Sequence, residues 1–245
     1  MGPSIQAEPS LAERHLRLAG TRNLRDVGGY PAGPGRRTRW RTLLRSDALD
    51  RLPAASQAAL VELGLRQVID LRWQHEIEQR PSVFSGSSEV RYRSVPLMPD
   101  AAVPEGLAAT YRHMLDSRGP ALAAVARTML EPAGVPALVG CAAGVDRTGV
   151  TVALLLSAVG VPADVVAADY ALSFESFTLD GSHGLDDWRA GPVALDCRPE
   201  YMLEAVDHLA RRHGGARSLL ARHGLAEADL DRLGELLTEE VPAAS

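Results

Sequence analysis

The 245-residue sequence predicts a single domain of α/β fold: a mainly parallel central sheet flanked by helices, followed by a helical C-terminal part. Three observations point there. Short apolar segments at about 40–45, 67–71, 91–97 and 135–140 have the length of strands and alternate with helical stretches, as parallel strands joined by crossover helices do. A polar, glycine-containing loop over 140–150 leaves the last of these strands and enters a helix that is apolar on nearly every side, which belongs inside a core. Residues 198–239 then read as helices punctuated by Gly214-Gly215 and Gly224, with no visible chemistry.

In order along the chain, residues 1–10 are expected to be a disordered lead-in. Residues 23–30, NLRDVGGY, form a polar turn ended by glycines. A second turn around Gly33-Pro34-Gly35 precedes the first strand, which ends in Arg45-Ser46-Asp47. Residues 54–63 have an amphipathic helical pattern stopped by Gly64. The 67–71 strand has a polar carboxyl end, Asp70 and Arg72, where ligands collect in α/β sheets; the pair either borders a pocket or is a structural salt bridge. Glu76, Glu78 and Arg80, ahead of Pro81, read as a solvated face. Helices are expected over 104–116, with Met114 and Leu115 at core spacing, over 121–131, and over 163–172 beyond the breakers Gly160 and Pro162. Residues 174–198 mix Phe174, Phe177 and Trp188 with several glycines and have no clear period. A stretch of that kind is a candidate lid or substrate loop.

The chemistry lies in the loop GCAAGVDRTGV, residues 140–150. It joins the end of a buried strand to a helix N-terminus, where unpaired N–H groups and the positive end of the helix dipole favour an anion. Cys141 opens it and Arg147 closes it, with Gly144 between. A helix N-terminus and a neighbouring cation favour the thiolate form of a cysteine, and a guanidinium holds two phosphate oxygens in its fork. Cys141 is therefore the candidate nucleophile and Arg147 the candidate clamp. The amides of Ala142, Ala143, Gly144, Val145, Asp146, Arg147 and Thr148 form a ring of donors for one phosphoryl group. The Thr148 hydroxyl adds a group that can stabilise the thiolate. Cysteine and arginine at this spacing are unspecific alone in a chain with 26 arginines. The strand, the glycine, the Arg-Thr-Gly exit and the apolar helix make the signal; a structural cysteine opening a core helix is the bland alternative.

The loop resembles that of cysteine-dependent protein tyrosine phosphatases, and more narrowly the bacterial tyrosine/lipid phosphatases whose loop reads HCxAGKDRTG. Gly140 stands at that family's His and Val145 at its Lys. Residues 23–29, NLRDVGG, are similar to the family's opening NFRDLGG, and Arg45-Ser46-Asp47, Tyr111-Arg112 and Asp169-Tyr170 also match. The resemblance implies a protein-tyrosine-phosphatase-like fold. It also implies hydrolysis of a phosphate monoester without metal or cofactor, through a phosphocysteine at Cys141. The substrate would be a phosphotyrosine protein or a small phosphomonoester. A small-metabolite phosphatase is one alternative; a weakly active phosphate-binding module is the other, kept alive by Gly140 because the family's His supports the cysteine. Asn23, Arg25 and Asp26 are expected to buttress the loop. Asp100, Asp116 and Asp146 are candidate general acids. The family keeps an Asp inside the loop, which favours Asp146, although Arg147 beside it is expected to lower its pKa. Val145 is expected to stand at the mouth of the pocket. With no lysine in the chain to replace the family's, a monophosphate is expected over a phosphoinositide.

A net charge of −5 argues against nucleic acid as a partner. Two cysteines give no disulfide framework and point to a reducing compartment. Residues 1–15 contain no apolar signal segment and the longest apolar run, 150–161, is too short to span a bilayer. The expectation is a cytoplasmic enzyme without a membrane span. Cys197 is read as a plain free thiol, a resolving thiol being the alternative. The histidines show no HxxxH or paired Cys/His spacing, His208 and His213 being five apart, so no metal site is expected.

Overall fold

The computed structural model describes residues 14–98, 105–178 and 196–241. Its centre is a five-stranded sheet in the order β1-β3-β6-β4-β5. The strands are β1 (Arg25–Asp26), β3 (Leu43–Ser46), β6 (Ala137–Gly140), β4 (Gln67–Asp70) and β5 (Arg91–Ser94). β3, β6, β4 and β5 run parallel, and β1 is antiparallel to β3 at the edge.

The three central strands are buried along their whole length because both of their faces are covered. Alternation along each strand sends Leu43, Ile69, Ala137 and Val139 into one hydrophobic cluster and Leu44, Val68 and Leu138 into another. The second cluster is closed by Leu60 of α1 (Ala54–Glu62) and by Leu24, Leu49 and Phe84. The first is larger. It takes in α3 (Leu107–Ser117), α4 (Gly119–Leu130), α5 (Asp146–Ala158) and the helices that follow. α5 touches α3, α6 (Ala163–Thr178), α7 (Pro199–His213) and α8 (Ala216–Arg222), which explains why it is apolar all round. Leu154, Leu155 and Leu156 are fully buried, each contributing about 1.5–3 kcal/mol of transfer free energy. α9 (Glu227–Leu237) packs on α4, and β7 (Thr238–Glu240) pairs with β2 (Arg36–Thr38), which returns the chain's end to its first third.

Three short strands, β1, β2 and β7, were not expected, and neither was α2 (Gln74–Gln79) within the stretch read as a solvated face. α6 runs to Thr178, past the expected end at 172, so residues 174–178 are helical. The rest of the candidate lid, 179–195, lies outside the described residues, as do residues 1–13 and Asp100. Among the described residues no helix is long and apolar enough to cross a membrane.

β6 comes late in the chain yet lies between β3 and β4, so the order reverses at the centre of the sheet. Ligands bind outside the carboxyl ends of strands at such a switch point. The register sets Ser46, Gly140, Asp70 and Ser94 side by side along that edge. The 141–145 loop rises from its middle.

Candidate active site

Gly140 ends β6 and α5 begins at Asp146, so residues 141–145 make the whole strand-to-helix turn. Gly144 has φ 68°, and a Cβ there would lie 2.4 Å from the Ser46 carbonyl oxygen; only glycine fits. The loop's carbonyls are taken up from outside. Ala48 N–H donates to Ala142 O at 3.2 Å. Asn23 Nδ2 donates to the oxygens of Ala143 and Gly144, both at 3.0 Å, and Arg45 Nη2 reaches Gly144 O at 2.8 Å. In a trans peptide the N–H points opposite to the C=O. Drawing these three carbonyls outward therefore turns the N–H groups of Ala143, Gly144 and Val145 into the loop. No side chain among the described residues caps α5, so its first N–H groups join the same ring.

Behind the loop is a buried ion network. Asp169 receives Arg25 Nε at 3.2 Å, Arg45 Nη1 at 2.5 Å and the Tyr30 hydroxyl at 3.0 Å. Arg25 also donates to Asn23 Oδ1 and, at 3.1 Å, to Ser173 Oγ. Burial opposes the Asp169 charge, but Arg25 and Arg45 outweigh it and hold the carboxyl well below the usual range. Burial, then the charge of Arg45, lowers Arg25 to about 10, which leaves it cationic at neutral pH. Asn23 thus grips the loop directly, and Arg25 holds Asn23. Asp26 does something else: its carboxylate accepts from Gly28 N at 2.8 Å and Arg41 N at 2.7 Å, tying two turns together.

At the open side, Cys141 is only 2% exposed. Arg147 reaches back to Glu76, with Nη1–Oε2 at 2.5 Å and Nη2–Oε1 at 3.1 Å. Glu76 is therefore not part of a solvated face. Its Oε2 also accepts the Trp73 N–H at 2.7 Å, and the guanidinium lies 4.9 Å from the Trp73 ring centre. This end-on pairing uses two of the five guanidinium donors and leaves the Nε edge for a ligand. Burial opposes both charges. The Cys141 charge and Glu76 nevertheless hold Arg147 cationic, and Arg147 keeps the Glu76 carboxyl below its ordinary value.

Asp146, the first residue of α5, accepts the Tyr111 hydroxyl at 2.5 Å, and Tyr111 in turn meets the Tyr170 hydroxyl at 2.6 Å. Burial pushes the Asp146 pKa up by more than the Tyr111 hydrogen bond and the Arg147 charge pull it down. The direction is opposite to that expected from Arg147 alone. The Thr148 hydroxyl is buried without a hydrogen-bond partner among the described residues. Val145 is buried and packs in the large cluster, instead of standing open at a pocket mouth.

Other expectations fall elsewhere. Asp70 and Arg72 pair with each other at 2.7 Å, and the Tyr92 hydroxyl binds Asp70 at 2.9 Å: a structural salt bridge at the strand end. Asp116 is engaged by His208 and His213 at an exposed place. Cys197 is buried, and burial raises its thiol to about 11, which suits an inert cysteine. Arg45, Tyr111 and Asp169 lay in family-like segments without an assigned role. Glu76 had one local signal, a carboxylate three residues after Trp73 just beyond a strand's carboxyl end.

This geometry defines a cysteine-dependent phosphatase of the protein-tyrosine-phosphatase type. The chain belongs to the tyrosine phosphatase family, whose model matches residues 16–239. It is 34% identical to the triple specificity protein phosphatase PtpB of Mycobacterium tuberculosis, over 90% of this chain and 98% of that protein. It is 27% identical to a tyrosine-protein phosphatase of Nostoc commune, over 78% of this chain and 72% of that protein. Among solved structures, the crystal structure of P. aeruginosa TpbA aligns with TM-score 0.42 and 18% identity, over 78% of this chain and 91% of that one.

Proposed function

We infer that the protein hydrolyses phosphate monoesters through a phosphocysteine at Cys141 and favours phosphotyrosine. The carrying observation is the loop whose carbonyls at 142, 143 and 144 are held from outside, which turns the following N–H groups inward beside Cys141, with the Nε edge of Arg147 left free by Glu76. The Cys141 thiolate attacks phosphorus in line. The S–P bond forms as the P–O bond to the leaving group breaks, and the leaving oxygen takes the proton of Asp146. Arg147 and the amides of residues 142–148 stabilise charge on the equatorial oxygens. Water, deprotonated by Asp146, then breaks the S–P bond and releases phosphate. Glu76 and Trp73 position Arg147; the Thr148 hydroxyl can donate to the thiolate.

The depth of Cys141 supports a phosphate carried on a long, flat stalk such as a tyrosine ring. The names of the PtpB and Nostoc relatives support the same class. Val145 and the absence of lysine remove the second cation that a polyphosphorylated headgroup would need. The test is hydrolysis of a phosphotyrosine peptide and of a phosphoinositide by the wild type and by Cys141→Ser. The wild type should prefer the peptide in kcat/KM and keep turning over in chelator. Cys141→Ser should lose turnover and keep phosphate binding. A serine variant retaining most activity would overturn the mechanism, and a strong lipid preference would overturn the substrate reading.

A further inference from the structure

Two histidines and a carboxylate meet on the helical side of the molecule, a place to which the mechanism gives no role. Asp116, near the end of α3, lies with Oδ1 2.8 Å from His208 Nε2 and 2.7 Å from His213 Nε2, both on α7. The three ligand atoms lie within 4.8 Å of one another. On an ideal helix residues five apart point about 140° away from each other, so the spacing of His208 and His213 gave no hint of this. His213 is the last residue of α7, directly before the left-handed Gly214.

We propose that Asp116, His208 and His213 form a site for a divalent transition-metal ion of the zinc type, which ties α3 to α7. Zinc bonds of about 2.0–2.1 Å place tetrahedral ligands about 3.3 Å apart. The two Asp116–histidine separations reach that spacing if the carboxylate oxygen draws back from each ring by about half an ångström. Two imidazoles and one carboxylate suit zinc or cobalt and do not suit calcium or magnesium, which take oxygen ligands. Asp116 is 41% exposed, against 21% for His208 and 11% for His213, so water can complete the shell from the solvent side. The rings stand edge to face at 5.8 Å, and Arg222 from α8 donates to the His213 carbonyl at 2.7 Å. That bond fixes the helix end that presents the ligand. The ion would act on stability: α3 carries Tyr111, the donor to Asp146, and a clamp between α3 and α7 braces that helix without touching the reacting atoms.

The experiment titrates Co2+ and Zn2+ into metal-stripped full-length Cys141→Ser protein, which lacks the loop thiolate as a competing ligand. The expected result is one Co2+ per chain with the visible absorption of a tetrahedral ion, and a higher Tm with Zn2+. His208→Gln and His213→Gln in the same background should weaken binding by at least about tenfold, the range seen even for outer-shell losses. Both should abolish the rise in Tm. With Cys141 intact, the same histidine variants should keep aryl phosphatase activity, which shows that they fold. As a check that needs no histidine variant, Zn2+ should shift the Nε2 NMR resonances of His208 and His213. Absence of Co2+ absorption, absorption unchanged in both histidine variants, or Zn2+ binding that shifts neither histidine would each overturn the proposal.

Discussion

The contact between Glu76 and Arg147 shows how one carboxylate sets the aim of the clamp. A guanidinium on a flexible stem has many rotamers, and the bidentate pairing of Nη1 and Nη2 with Glu76 selects one that leaves the Nε edge free of Glu76. Glu76→Gln keeps the size and one hydrogen bond but loses the charge-assisted fork. We predict a fall in kcat/KM on an aryl phosphate of roughly a hundredfold, as misplacement by about 1 Å can cause, with little change in the urea midpoint. Unchanged kinetics would leave Arg147 positioned by something else. Asp146 offers a second test with a definite sign. Burial raises its pKa, so its acid form persists to higher pH than an ordinary carboxyl, and turnover of an alkyl phosphate should fall as pH rises through that value. Asp146→Asn should remove this limb and cost about 10²–10⁴ on alkyl phosphates, while activated aryl phosphates, whose leaving groups need little protonation, change far less. Equal effects on both would move the acid's role elsewhere. At this scale Cys141 and Arg147 stand out as candidates because their order in one loop suggests their chemistry, while Asp146 is favoured over Asp100 and Asp116 only through the family resemblance. The sequence hid Glu76, because a glutamate on a short helix becomes a partner of Arg147 only when the sheet order brings α2 to the loop.

At the level of elements, the loop is held by two strands and a helix that share one buried anion. Asp169 on α6 ties Arg25 of β1 to Arg45 of β3, and Arg45 then holds Gly144. Removing one partner of a buried ion network leaves uncompensated charge, which typically costs about 3–5 kcal/mol. Asp169→Asn should therefore lower the urea midpoint strongly, by a free energy of that order, and reduce turnover through the loosened loop. The pH dependence follows from the direction of the shift. The Asp169 carboxyl is held below its ordinary value, so its stabilisation is present above the unfolded-state pKa of roughly 3.9. It is lost as pH falls through the lower folded value. The Asn variant should lack that acid limb of stability. A wild-type midpoint independent of pH below the ordinary carboxylate range would contradict the network. The long helices and the apolar strands were legible because their patterns repeat over a dozen residues or fill a sheet core. β1, β2 and β7 were not: two or three residues each, two of them charged, carry no period, and pairing alone makes them strands.

For the molecule as a whole, the sequence predicted α/β architecture, but the position of β6 between β3 and β4 came from the structure. That insertion puts the loop at the switch point of the sheet and gives the helical C-terminal half its place over α5. Pairing across such separations leaves no trace in local pattern, and neither does the meeting of Asp116 with His208 and His213. The central claim of the proposed mechanism is chemical: Cys141, in a loop whose amides ring one site, is the residue that becomes phosphorylated. The most direct measurement is to mix the enzyme with an aryl phosphate, quench in acid within the first turnovers, and locate the added mass by peptide mass spectrometry. The account predicts one phosphoryl group on Cys141, enriched in Asp146→Asn because water attack then lacks its base, and absent from Cys141→Ser. Turnover without any phosphoryl-cysteine, or a phosphoryl group on another residue, would contradict it.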